Sequence, residues 1–268
     1  MVAAEIRDYF DREPVLESVP RPKLSLIIPA YNEQSRINRT LEESWDYLSA
    51  QPYAFELILS DDGSDDETAE IGRTFARNRD DMRVLSIAHG GKAAAIRAGM
   101  KAARGEIVVF TDADLATPIS YLDNFISAIE SGADVVIGSR EGAGATRVGE
   151  PIYRHLMGRA FNRLVQTTIL PGINDTQCGF KAFTRFASLE ISRRARLYSN
   201  HATITGARVT AFDVEMLVIA RKLGLNIVEL PVIWTYGSQS KVNPIKDTLT
   251  NLRDIATIKL NALRRAYD

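Results

Sequence analysis

Short, almost uniformly apolar runs alternate with amphipathic stretches through the first 140 positions. LSLIIP (24–29), FELILS (55–60), RVLSI (83–87), EIVVFT (106–111) and DVVIG (134–138) lack the alternation of a half-exposed strand, so they predict strands covered on both faces. Between them, apolar positions recur at helical spacing and predict helices over 34–50, 66–78, 92–103 and 119–131. The second is expected to open at Ser64, with acids in its first turn. Strand and helix in alternation predict an α/β fold: a Rossmann-like, mainly parallel sheet flanked by helices.

After Arg140 the rhythm changes. EGAGATRVGE (141–150) is glycine-rich and reads as a mobile loop, followed by a long amphipathic segment over 151–170. A strand over 179–184, a helix over 212–223, a strand over 226–234 and a last helix over 245–265 complete a mixed C-terminal region. Two helical stripes stand out. Ile152, Leu156, Phe161, Leu164, Val165 and Ile169 form one, with Arg154 and Arg163 among them. Ile245, Leu249, Leu252, Ala256, Leu260 and Leu263 form the other, flanked by Lys246, Arg253 and Arg264. Either suits packing on a core or docking on anionic lipid. The expected organisation is an extension over 1–22, one domain over 23–243 with halves 23–115 and 116–243, and a terminal amphipathic helix over 244–268.

Composition narrows the partners. A formal net charge of −1 gives no global basic field, so nucleic acid is not expected as a partner. The single cysteine, Cys178, cannot close an intramolecular disulfide, which favours a cytoplasmic setting. The first twenty residues carry acids throughout and no secretory signal, and no run of about eighteen apolar residues suggests a membrane span. Membrane contact is therefore expected to be peripheral.

In an open α/β sheet ligands gather beyond the carboxyl ends of the strands. Polar motifs stand there four times: PAYNE (29–33), SDDGSDD (60–66), HGGK (89–92) and TDAD (111–114). Asp112 and Asp114 emerge together from an apolar strand, where hard carboxylates can share Mg²⁺ or Mn²⁺ and leave coordination positions for a diphosphate. On those two residues alone, helix capping ahead of Pro118 reads equally well. Asp61 and Asp62 suit a base or ribose, or else a plain turn at Gly63. Gly90-Gly91-Lys92 is not a Walker A loop, because Ser86 stands where its first glycine belongs and Ala93 replaces the magnesium-binding hydroxyl. Its glycines could still bring backbone close to a phosphate.

PAYNE, DDGSDD, GKAAAIRAGMKAARGE and DAD, in that order and spacing, resemble the family 2 inverting glycosyltransferases of GT-A fold. AIRAGMKAARGEIVVFTDAD, GSR (138–140) and DTQCGFKAF (175–183) are most similar to the dolichyl-phosphate β-glucosyltransferases and related polyprenyl-phosphate sugar transferases. The likeness runs over about 24–243. It implies that Pro29, Ala30, Tyr31, Glu33 and Asp61 hold the uridine half of a UDP-sugar, with Asp62, Gly91 and Lys92 beside them. Asp112, Ala113 and Asp114 would face the metal and diphosphate, with Ala116 where related mannosyl enzymes carry a glutamine ligand. Arg140 and Arg154 match positions that clamp an acceptor phosphate. Asp175, Gln177 and Lys181 would lie near the sugar and that phosphate, and Lys241 near the diphosphate. Asp213 and Glu215 correspond to a region that supplies a base in members with hydroxyl acceptors. Cys178 reads as a small buried residue, since direct displacement requires no covalent enzyme intermediate.

The implied reaction is in-line attack by a polyprenyl phosphate on UDP-glucose, giving a β-linked lipid phosphosugar at the cytoplasmic face of a membrane. A phosphate acceptor is already largely dianionic at neutral pH, so Asp213 and Glu215 would position it before they would move a proton. GDP-mannose as donor, a soluble or glycan hydroxyl as acceptor, and a non-catalytic nucleotide-binding module are the competing readings. A homo-oligomer is compatible with all of them.

Overall fold

The computed structural model describes residues 20–198, 210–237 and 244–268. Strands β1 (Leu24–Ala30), β2 (Phe55–Asp61), β3 (Met82–Ser86), β4 (Ile107–Phe110), β5 (Val135–Ser139), β7 (Lys181–Thr184) and β8 (Ile227–Pro231) form one sheet in the order β3-β2-β1-β4-β7-β5-β8. Only β7 runs antiparallel, to both β4 and β5, which makes the sheet mainly parallel. β7, from the second half, pairs with β4 of the first, so both halves share one sheet.

β1, β2, β4 and β5 are buried on both faces because alternate side chains feed two cores, whereas β3, at the sheet edge, is only half-buried against the expectation for it. Ile27, Ile58, Val108, Phe110, Val135 and Phe183 point to one, which is closed by helices α3 (Lys92–Ala102), α6 (Arg185–Arg194) and α7 (Phe212–Lys222). Leu26, Ile28, Leu57, Leu59, Val109 and Val136 point to the other, against α1 (Ile37–Ser49), α2 (Thr68–Ala76) and α4 (Leu122–Glu130).

Several expectations change. Helix α2 begins at Thr68, where the Asp66 carboxylate accepts the Thr68 amide at 2.9 Å; the Ser64 hydroxyl accepts the Asn32 amide instead. Helix α6 was not expected: its buried side includes Ser188, Glu190 and Ser192, so it lacks a clear apolar stripe, and the one local signal is its Thr184 cap. The expected strand over 226–234 breaks at Val232, whose amide bonds Ser139 O at 3.0 Å. Beyond it, β9 (Ile233–Thr235) leaves the main sheet and pairs with β6 (Thr146–Val148). The supposed mobile loop thus contains a strand and is pinned by Arg147, which ion-pairs with Glu141 (2.9 Å) and Glu150 (2.8 Å) and donates to Arg140 O.

The amphipathic segment over 151–170 forms α5 (Ile152–Thr168), packed through Asn162 and Val165 but exposing Ile152, Tyr153, Leu156 and Met157 in its first half. In the last helix, α8 (Pro244–Leu263), the described part of the expected stripe faces outward, the second of the two roles it suited, and a different face meets the core. It buries Asn251, Asp254, Ile255 and Ile258 and leaves Leu252, Leu260 and Leu263 exposed. Asp254 holds that face inward, accepting from Tyr198 Oη at 2.7 Å and from the Ala211 amide at 3.0 Å. No described helix is long and apolar enough to cross a membrane.

Candidate active site

The tips of β1 and β2 are laced together. Asn32, Glu33 and Gln34 amides donate to Ser64 Oγ, Thr68 Oγ1 and Asp66 Oδ2, while the Asp65 and Glu67 amides return bonds to Asn32 and Gln34 side chains. Pro29, Ala30 and Tyr31 are carried on that rigid edge, and Glu33 ion-pairs with Arg36 at 2.8 Å. Asp61 is buried beside them and accepts the Ser64 amide at 3.3 Å.

Asp62 does something different from its expected place beside the nucleotide. Its carboxylate accepts the Gly90 and Gly91 amides at 2.8 Å each, so those amides are committed to Asp62 and not to a phosphate. Desolvation pushes the Asp62 carboxyl up, and these amide bonds and His89 oppose the shift.

Lys92 opens α3 and ion-pairs with Asp112 at the end of β4. Burial lowers its pKa, but the charges of Asp112, Asp213 and Asp114 outweigh burial and hold the ammonium above its usual value. The turn after Asp112 is tight: Leu115 has φ 48° and donates to Asp112 O at 3.0 Å, and Asp114 accepts the Ala116 amide at 3.1 Å. From below, Thr40 Oγ1 holds the Ala113 carbonyl at 2.5 Å. Desolvation and then the neighbouring Asp112 charge push the Asp114 carboxyl up.

Two glycines let other segments reach this pair. A Cβ on Gly179 would fall inside the Asp112 carboxylate, and one on Gly237 would lie 3.3 Å from Asp114 Oδ2. Asp112 Oδ1 is buried and makes no hydrogen bond beyond its ion pair with Lys92. Such a carboxylate oxygen, next to a second acid, fits a hard divalent cation. Among the described residues no third acid, histidine or cysteine joins them, so diphosphate and water would complete the coordination.

Lys181 is fully buried on β7, not open to an acceptor. Its ammonium bonds Asp213 Oδ1 and Cys178 O, each at 2.5 Å. Two ion pairs, Lys92–Asp112 and Lys181–Asp213, thus stand close enough for the Asp213 charge to act on Lys92, without Asp213 joining the Asp112–Asp114 pair. Glu215, two positions along α7 from Asp213, points elsewhere: it accepts the Arg196 and Leu197 amides at 3.0 Å and Tyr267 Oη at 2.8 Å. It anchors the C-terminus and leaves the site to Asp213.

Asp175 and Arg140 also differ from expectation. Arg140 forks onto Asp175 through Nε (2.6 Å), Nη2 (2.9 Å) and its own amide (2.9 Å), with Asp175 fully buried. Burial alone would raise that carboxyl, but the guanidinium holds it far below the usual range, so it cannot collect a proton near neutrality. Arg140 lies 5.2 Å over the Trp234 ring, and Arg154 lies 5.2 Å over Tyr236. The two rings are 6.0 Å apart, immediately before Gly237. One short segment therefore joins both arginines to Asp114. Trp234, Tyr236 and Gly237 escaped sequence reasoning, while His89 and Gly179 stood inside the HGGK and DTQCGFKAF motifs without a role of their own.

Gln177 is half-buried next to this pair, its amide bonding Asp175 Oδ1 at 3.2 Å. Lys241 lies outside the described residues. Cys178 is buried and burial pushes its thiol up. Iodoacetamide at pH 7.5 should therefore label it at least about tenfold more slowly than the guanidine-unfolded chain, read by mass spectrometry.

Residues 25–191 match the family described as glycosyl transferase family 2. A dolichyl-phosphate beta-glucosyltransferase of Trichomonas vaginalis is 35% identical over 90% of this chain and 76% of its own length. One of Drosophila melanogaster is 34% identical over 95% and 79%. Among solved structures, glucosyl-3-phosphoglycerate synthase of Mycobacterium tuberculosis, in complex with Mn²⁺, UDP-glucose and phosphoglyceric acid, superposes with TM-score 0.60 at 19% identity, covering 90% of this chain and 79% of that one.

Proposed function

This chain belongs to glycosyl transferase family 2, and from that premise we propose that it moves glucose from UDP-glucose to a polyprenyl phosphate with inversion, giving a β-linked lipid phosphosugar. The observation that carries the reading is the Trp234–Gly237 segment, which brings the Arg140 and Arg154 side up to the Asp112–Asp114 pair. A donor diphosphate at the carboxylates and an acceptor phosphate at the arginines would then be neighbours.

Asp112 and Asp114 hold Mg²⁺ or Mn²⁺, which when bound neutralises charge gathering on the departing UDP. Pro29, Ala30, Tyr31, Glu33 and Asp61 carry the uridine end. Lys92, paired with Asp112, would exchange that contact for one with the diphosphate, and Lys241 is proposed to approach from the C-terminal side. Arg154 takes the acceptor phosphate, a task that suits a permanently charged planar fork. Arg140, committed to Asp175, frames that position. Asp213, fixed by Lys181, orients the acceptor, and Gln177 lines the same side. The phosphate oxygen attacks the anomeric carbon, the bond to UDP breaks, and no base has to take a proton, because the nucleophile is already an anion.

A lipid acceptor needs an apolar approach. The first half of α5 exposes Ile152, Tyr153, Leu156 and Met157, and the helix carries Arg154, His155, Arg159 and Arg163 but no acid. That pattern suits the anionic, cytoplasmic face of a membrane. Incubation with radiolabelled UDP-glucose, polyprenyl phosphate and Mn²⁺ is expected to give an organic-extractable, acid-labile product. Label appearing only on water-soluble sugars would point to a hydroxyl acceptor, and no transfer to any acceptor would contradict the enzymatic reading.

A further inference from the structure

We propose that His89 is a positioning residue for the nucleotide: held by Asp62, its imidazole backs the Tyr31 ring, so that a nucleobase stacks on the opposite face of Tyr31. This rests on the donor reading above and adds to it a residue and a geometry. The Tyr31 and His89 rings are stacked, with centroids 4.0 Å apart and planes within 10°. The His89 side chain is only 11% exposed, so a base cannot lie against it without first displacing Tyr31.

What fixes the ring is the second polar motif. His89 Nδ1 lies 2.8 Å from Asp62 Oδ2 and 3.1 Å from Asp62 O. Both are acceptors, so Nδ1 carries a hydrogen and donates it. The same carboxylate takes the Gly90 and Gly91 amides, which closes the 89–91 loop around it. Gly63, at φ +67°, completes the cradle: a Cβ there would lie 2.9 Å from His89 N and 3.0 Å from Ile87 O, so any larger residue would push the loop away. Asp62 and Gly63 thus serve the nucleotide indirectly, by holding the ring that holds Tyr31.

Without the His89 ring against it Tyr31 would be held less firmly, and ordering it on binding would cost affinity. The test is calorimetric titration of UDP in the presence of Mn²⁺ into the wild type and His89→Ala, His89→Phe and His89→Asn, with KM and kcat for UDP-glucose alongside. His89→Ala is expected to weaken UDP about tenfold and to raise KM in step, with kcat within about twofold. His89→Phe, which keeps the stack and loses the Asp62 bond, should recover most of the affinity, and His89→Asn, which keeps the bond and loses the stack, should recover less. A double-mutant cycle of His89→Ala with Tyr31→Leu should show the two losses to be non-additive. Unchanged affinity in a folded His89→Ala, rescue by Asn but not Phe, or additive losses would overturn the proposal while leaving the donor reading intact. A wild type that binds no UDP would overturn both.

Discussion

Asp114→Ala is expected to reduce turnover by at least about a thousandfold, since a bound divalent ion supplies several kcal/mol of charge stabilisation and each 1.4 kcal/mol is about a factor of ten. The fold should persist. The Asp114 carboxylate makes one backbone bond, to the Ala116 amide, and crowds the Asp112 charge, so its removal costs about 1 kcal/mol or less of stability. Steady-state kinetics beside a thermal melt separates the two effects. Substantial activity in a folded Asp114→Ala would remove this residue from the metal role. Loss of activity together with loss of the melting transition would place it in the framework of the turn instead.

The largest effect on stability is expected from the Arg140–Asp175 pair. Arg140→Leu strips a fully buried carboxylate of its ion-pair partner, leaving it the Arg140 and Gln177 amides and the weaker influence of Arg147, and breaking a buried pair in this way typically costs about 3–5 kcal/mol. For a chain of this size that is a fall of roughly 6–20 °C in melting temperature. The pH dependence identifies the cause. In the wild type the depressed Asp175 pKa contributes stability that is present above the unfolded value, near pH 4, and is lost as pH falls through the folded value. In Arg140→Leu the unpaired carboxyl is raised instead, so its destabilisation is greatest at neutral pH and shrinks on acidification as the group becomes neutral. Asp175→Asn strands a guanidinium that cannot deprotonate, so its loss should stay flat over the same range. Equal, pH-independent losses in both variants would mean that packing alone holds this corner.

These two sites differ in how far the sequence announces them. The Asp112–Asp114 pair follows a run of four buried apolar residues, and its place at a strand tip is written in local pattern. The same is true of β1, β2 and β5, whose uniform apolarity reflects burial on two faces. Long-range pairings leave no such trace. Nothing near Asp62 indicates that its carboxylate closes a loop some twenty-eight positions away, and nothing near Trp234 indicates that Arg140 lies over its ring. Helix α6 was missed because buried Ser188, Glu190 and Ser192 interrupt its apolar spacing, and β8 and β9 were merged because their shared apolar run conceals a change of sheet. Helix α8 is a further case: its leucine stripe left packing and docking both open, and only the two long-range hydrogen bonds to Asp254 show which face turns inward. Glu215 was within reach of local reasoning, since residues two apart on a helix do not share a face, and Asp213 could have been separated from it on that ground.

The hinge of the whole account is that two acids at the end of β4 bind a divalent ion together with the nucleotide's diphosphate. Titrating UDP into the protein by calorimetry, once with Mn²⁺ and once with excess EDTA, tests that directly. One site per chain, weakened by at least about a hundredfold when metal is withheld or when Asp112 and Asp114 are both changed to Asn, is the predicted result. UDP binding of equal strength in EDTA, or in that double variant with its fold intact, would contradict it.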